Sequence, residues 1–355
     1  MFGNLSLKPI TKKPVRVNGW KGVTINPIAE KVIPLGLFAL YPYNLVHTDS
    51  IYAAETSASP YPKGGLDGSL LTLFLRQGVA ARLEKARQLL PPGCTFVLWD
   101  SYRTLDTQQA LFTWFLDKLR SEASGDVSED QLIDQVQRFV SLPSRDLLKP
   151  SPHNTGAAVD LGIIKMDPAV WADLQRKARE VAQHDDWRAI YRFEMNKAKI
   201  FREAKLLNFG TAFDEVSAKT ATNYFEHFPE SKECRQNRRL LNAVLNQVGF
   251  QNYEEEWWHF SYGDQYWGKK TGQPAVYGAA TLSAEKLWWE QVVRRDHYQR
   301  NMTWDQKAEL SSVEKINQMV RLPQDVYQAM LFSESIANQG LGDLDNTIQP
   351  LAHMI

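Results

Sequence analysis

SPHNTGAAVDLGII, residues 151–164, runs out of a proline turn into an apolar stretch with the composition of a buried strand. CTFVLWD at 94–100 reads as a second one. The chain around these two strands is mostly helical. Val79, Leu83, Ala86 and Leu90 recur at helical spacing, which predicts a helix over 70–90 that PPG at 91–93 ends. After SYR at 101–103, Thr104 caps a second helix whose inner face carries Leu111, Trp114, Phe115 and Leu119. Arg103 therefore stands at a strand-to-helix turn, where functional side chains tend to be displayed. Asp167 followed by Pro168 starts a charged helical stretch, rich in Trp and Arg, that reaches about Leu207. NFGTAFDEV at 208–216 returns to turn chemistry, RRLLNAVLNQVGF at 238–250 is a helix ending near Gly249, and EEEWWHFSY at 254–262 is strand-like.

Further out the signals weaken. Residues 1–45 form an irregular arm with some strand character, and SPYPKGGLDGS at 59–69 is a turn region. YGDQYWGKKTGQPAVYGAA at 262–280 has the glycine content of a linker. Beyond it, Thr303 with Gln306 and Ser311 with Glu314 are capping-box patterns that begin short helices. Trp288, Trp289, Val292 and Val293 make an apolar stripe, read as packing onto the body, with a surface for a second copy of the chain or another partner as the alternative. The expected class is α+β, divided into an arm (1–45), a body (46–268) with a helical insertion at about 165–207, and a linker with a helical C-terminal appendage (269–355).

With 43% hydrophobic and 23% charged residues the chain is globular in composition. Lys plus Arg and Asp plus Glu both total 41, so no net field draws it to nucleic acid or to an acidic membrane. Cys94 and Cys234 are the only cysteines and lie far apart, which excludes a CxxC motif and fits a reducing compartment. The basic start, MFGNLSLKPITKKPVRVNG, lacks the apolar core of a secretory signal, and Pro34 and Pro42 interrupt the apolar run Val32 to Leu45. The expected location is the cytoplasm.

Hydrolytic zinc takes three protein ligands and leaves a fourth position open. Of the seven histidines, His47, His153, His184, His227, His259, His297 and His353, only His153 and His259 lie in strand-and-turn contexts crowded with other special residues. His153 and Asp160 are seven apart, with Gly156 and two alanines letting the backbone pass close to a metal. On these residues alone an N-cap or a solvated loop is the ordinary reading. Glu256 precedes His259 by three, near enough to serve a metal-bound water. On a strand, i and i+3 point to opposite faces, so a bulge or twist has to bring them together. The ordinary alternative is an edge strand with buried tryptophans and an exposed histidine.

Four segments together, WDSYRTLDTQQALF at 99–112, SPHNTGAAVDL at 151–161, GTAFDE at 210–215 and GFQNYEEEWWHF at 249–260, resemble the zinc D-alanyl-D-alanine dipeptidases of the VanX type. Order and spacing agree along most of 45–268. The resemblance implies a mainly antiparallel sheet flanked by helices, the fold of the Hedgehog and D,D-peptidase superfamily. It implies one Zn2+ held by His153, Asp160 and His259, with Glu256 as general base and Arg103 on the oxyanion. It implies Asp214 as the partner of the substrate's ammonium group and Ser151 as a pocket residue. For Arg103 a surface ion pair remains open, and for Asp214 a helix N-cap with Glu215. The implied activity is hydrolysis of D-Ala-D-Ala or a related small dipeptide by a metal-activated water. The alternatives are a peptidoglycan D,D-carboxypeptidase or endopeptidase and a noncatalytic zinc-bearing binding module. The chain departs from the pattern in its long segment between Asp160 and Asp214, in its extra C-terminal residues and in Pro152.

Overall fold

Strands form at Cys94–Asp100 and Ala158–Lys165, and all of their residues except Lys165 are buried. Burial of both faces is why their sequences run apolar without alternation. They pair antiparallel, Cys94 opposite Lys165 and Asp100 opposite Asp160, with an irregularity in register between Leu98 and Asp100. A six-stranded sheet grows around them in the order His47–Thr48, Cys94–Asp100, Ala158–Lys165, His259–Ser261, Gln251–Asn252, while Lys205–Leu206 pairs with the far end of Ala158–Lys165. The edge pair of His47–Thr48 with Cys94–Asp100 is parallel and the remaining pairs are antiparallel. Val79 and Leu83 from helix Gln77–Gln88, Leu111 and Phe115 from Leu105–Glu122, and Leu241 and Val244 from Lys232–Gln247 fill one core with the sheet residues. These three helices and the sheet thus share one core, in an α+β arrangement. This is a computed structural model that describes residues 7–12, 17–53, 59–183 and 186–301. The capping boxes at Thr303 and Ser311 fall outside them.

Several local expectations change. The helix expected over 70–90 is Gln77–Gln88 only, because Leu73, Phe74 and Leu75 are buried in succession and Phe74–Arg76 pairs with Val32–Pro34. The stretch 165–207 is two helices, Pro168–Val181 capped by Asp167 and Trp187–Glu203 capped by Asp186, which accepts from the Arg188 and Ala189 amides. Residues 262–280 are no linker. They hold the helix Gln265–Thr271 capped by Asp264, bury Tyr266, Trp267, Ala275 and Tyr277, and bond Ala275 to Thr24 and Asn26 through the backbone. The arm is likewise packed, with Leu35, Phe38 and Leu45 buried.

The helix Ala284–Asn301 lays Trp289, Val292 and Val293 against Val32, Phe38, Phe74 and Tyr102 of the same chain, and Trp288 stays outside, 39% exposed. That stripe is therefore covered from within. Among the described residues no helix is long and apolar enough to cross a membrane.

Candidate metal centre and substrate cavity

Asp100, Asp160 and His259 stand opposite one another on three adjacent strands. Directly opposed residues share a face, so strand pairing alone lines up their side chains. His153 joins them from the one-turn helix His153–Thr155, closed by Gly156 at φ 69, a left-handed conformation that favours glycine. Its ring Nδ1 lies 2.8 Å from the Ser101 carbonyl oxygen and 3.0 Å from Asp100 Oδ2. A carbonyl only accepts, so Nδ1 carries the proton and Nε2 presents a lone pair. That Nε2 is 3.2 Å from His259 Nδ1 and 3.4 Å from Asp160 Oδ2, and His259 Nδ1 is 2.9 Å from Asp160 Oδ1. One ligand atom from each of the three residues falls within 4.8 Å of the others, and all three residues are buried. Two imidazole nitrogens and a carboxylate, one imidazole fixed in tautomer from behind, suit a divalent metal ion.

The electrostatics follow from this crowding. Burial works to raise the Asp160 pKa, but His153 and His259 overcome it and hold the carboxyl below its ordinary range. Glu256 has no such relief. Burial, and then the charges of Asp160 and Asp214, push its carboxyl well above the usual value. Its side chain sits 3.9 Å from His259 Nδ1. The approach is made by a turn rather than a strand, since only His259–Ser261 is extended and EEEWW is not. The Glu256 amide donates to Tyr253 O, and Asn252 Nδ2 donates to both Glu256 O and His259 O, at 2.9 and 3.0 Å. Trp257 anchors the turn by stacking on Phe209 at 4.1 Å between centroids and donating to Thr211 Oγ1.

These groups line a cavity of about 390 Å³ together with Arg103, Ser151 and Asp214. Arg103 is buried, not a surface ion pair. It donates to Asp100 Oδ2 from Nε and Nη2, to Gln108 Oε1 from Nη1 and to Tyr52 OH from Nη2. A guanidinium has five N–H groups. These four contacts leave one, on Nη1. Ser151 Oγ is buried without a hydrogen-bond partner among the described residues. Asp214 has φ 61, caps no helix, and is set in place by its neighbour Phe213, which stacks on Trp99 at 4.9 Å and meets Trp258 edge-on. Burial raises the Asp214 pKa to about 6, against a lowering hydrogen bond from Tyr61 OH.

Comparison with known proteins adds a family. The peptidase M15 family model, described as D-ala-D-ala dipeptidase, matches residues 200–276, a span that holds Asp214, Glu256 and His259. The D-alanyl-D-alanine dipeptidase of Synechocystis sp. is 26% identical over 232 residues, covering 60% of this chain and 79% of that protein. The D-alanyl-D-alanine dipeptidases of Enterococcus faecium and Enterococcus faecalis are each 20% identical, over 53% and 62% of this chain and 72% and 87% of their own lengths. The chain is thus similar to D-alanyl-D-alanine dipeptidases of the VanX type. Within its site, residues that sequence reasoning passed over do much of the positioning. Asp100 grips both His153 and Arg103, and its signal was its place three residues before Arg103 at a strand end. Tyr52, Tyr61 and Gln108 carried no comparable signal.

Proposed function

We propose that this chain is a zinc dipeptidase that hydrolyses D-Ala-D-Ala or a closely related small dipeptide. The observation that carries the reading is the convergence of His153 Nε2, Asp160 and His259 Nδ1, with the Glu256 carboxyl 3.9 Å from His259 Nδ1. Zinc held by these three residues would supply Lewis acidity, polarising a peptide carbonyl and lowering the pKa of water to about 7. Glu256 accepts the proton of the attacking water on its carboxylate and returns it to the leaving amine. A dication held beside it would counter the burial and the neighbouring negative charge that raise the Glu256 carboxyl. Arg103, locked by Asp100, Gln108 and Tyr52, brings its remaining N–H to the developing oxyanion, a role in which losing one donor typically costs about 3 kcal/mol. Ser151 Oγ supplies a free hydroxyl to the substrate backbone.

Asp214 receives the free ammonium group. A buried carboxylate that a longer chain would leave uncompensated restricts the site to short substrates. This supports a dipeptidase over a peptidoglycan carboxypeptidase, and the filled catalytic positions support an enzyme over a binding module. The deciding experiment is alanine release by the zinc-loaded protein from the four stereoisomers of Ala-Ala, with Glu256→Ala as control. Turnover confined to D-Ala-D-Ala and lost in the control is expected. Turnover of a muropeptide alone, or undiminished turnover in Glu256→Ala, would overturn the reading.

A further inference from the structure

One buried polar contact in the cavity wall belongs to neither the metal nor the proton chemistry. Tyr61, in the loop before strand Phe74–Arg76, donates its phenol to Asp214 Oδ2. Its ring is wedged between Tyr52 at 5.1 Å and Trp114 at 4.7 Å between centroids, so it has no other place to turn. Tyr52 in turn accepts from Arg103 Nη2 at 2.9 Å. Two tyrosines in ring contact therefore tie the guanidinium and the Asp214 carboxylate to one wall. Tyr61 is also a dependable donor, because burial and then the Asp214 charge push its hydroxyl well above the ordinary phenol range.

We propose that Tyr61 is a specificity-determining residue: its hydroxyl occupies Oδ2 of Asp214 and fixes the carboxylate so that the other oxygen alone receives a substrate ammonium group. A carboxylate held at one oxygen presents a single preset acceptor in a left-handed backbone setting that the Phe213 contacts already define. An ammonium makes a charge-assisted bond there, whereas a hydroxyl in its place makes a weaker neutral one. The inference rests on the proposed role of Asp214, and the test separates the two.

Steady-state kinetics of the zinc-loaded wild type, Tyr61→Phe and Asp214→Asn would be compared on D-Ala-D-Ala and on D-lactyl-D-alanine, which carries a hydroxyl where the dipeptide carries its ammonium. Tyr61→Phe keeps the ring contacts and removes one oxygen. It should raise KM for D-Ala-D-Ala about tenfold, as expected for losing one hydrogen bond to a charged group, while kcat moves less than about twofold. The preference for ammonium over hydroxyl should shrink by a similar factor. Tyr52→Phe, which strips the Arg103 contact instead, should act mainly on kcat. A collapsed preference in Asp214→Asn beside unchanged KM and preference in Tyr61→Phe would overturn the Tyr61 assignment alone. Intact preference in Asp214→Asn would overturn the ammonium role of Asp214 and the inference with it.

Discussion

On the helix Trp187–Glu203, both oxygens of the buried Glu194 are met: Phe38 N–H and Lys197 Nζ donate to Oε2 and Asn44 Nδ2 donates to Oε1. In the cavity, Glu256 is also buried, faces other carboxylates and has its nearest cationic candidate 3.9 Å away. The same contrast holds for neighbours. Glu290 and Asp296 on the helix Ala284–Asn301 are matched by the Leu71 and Thr72 amides, Arg294, Tyr191 and Arg300, so that helix clasps both the segment around Leu71 and the helix Trp187–Glu203. Carboxylates with complete partners hold a fold together. Carboxylates left crowded, beside two imidazole nitrogens and an unpartnered serine, stand ready for something the chain does not itself supply.

Breaking the comparison on the cavity side gives the largest effect. Glu256→Ala should retain zinc by elemental analysis while kcat falls about a thousandfold, in the range of a lost general acid–base group; loss of the metal instead would make Glu256 a ligand. On the clasp side, Lys197→Met strands the buried Glu194 charge and should cost about 3 kcal/mol of unfolding free energy by denaturant titration. Activity per folded molecule should stay level, and a drop would mean that the insertion shapes the cavity. Asp100→Asn loosens both His153 and Arg103 at once and should weaken zinc affinity about 10- to 100-fold in a competition assay with a chelator.

The smallest effect is a pH dependence at the sheet edge beneath the insertion. Burial, followed by Arg202 and Lys197, lowers the His47 pKa to about 4. The unfolded chain, with a histidine pKa near 6.5, binds the proton first, so stability is complete above about pH 6.5 and is lost as pH falls toward 4. Solvent around the half-buried ring reduces the loss to about 1–2 kcal/mol. His47→Gln should flatten that limb of the melting curve against pH.

Elements whose burial writes itself into composition were legible in advance. CTFVLWD and AVDLGIIK are buried on both faces and contain little else than apolar residues, while Thr104 and Asp167 are caps with an obvious local job. The cluster of His153, Asp160 and His259 was legible as residue types and through the four segments that carry the resemblance. Its alignment was not, because opposition of Asp100, Asp160 and His259 depends on pairing between strands far apart in sequence. Of the strand-like stretch 254–262 only His259–Ser261 is strand; residues 254–258 turn, because their tryptophans are buried by stacking rather than by alternation. The supposed linker was misread because glycines such as Gly268, which sits tightly against Val23 and Gln273, resemble flexibility when they mark close packing. Tyr61 stood unnoticed in a proline-rich turn.

The row of Asp100, Asp160 and His259 also sets when activity can begin. His259 lies 99 residues beyond Asp160, so a chain still emerging from the ribosome carries only part of the proposed ligand set. Even once both are present, the strand His259–Ser261 must zip in register, since a slip of one residue turns His259 to the opposite face. On the proposed reading, hydrolytic competence therefore arrives only with the finished sheet, and an incomplete or misaligned copy lacks the proposed site.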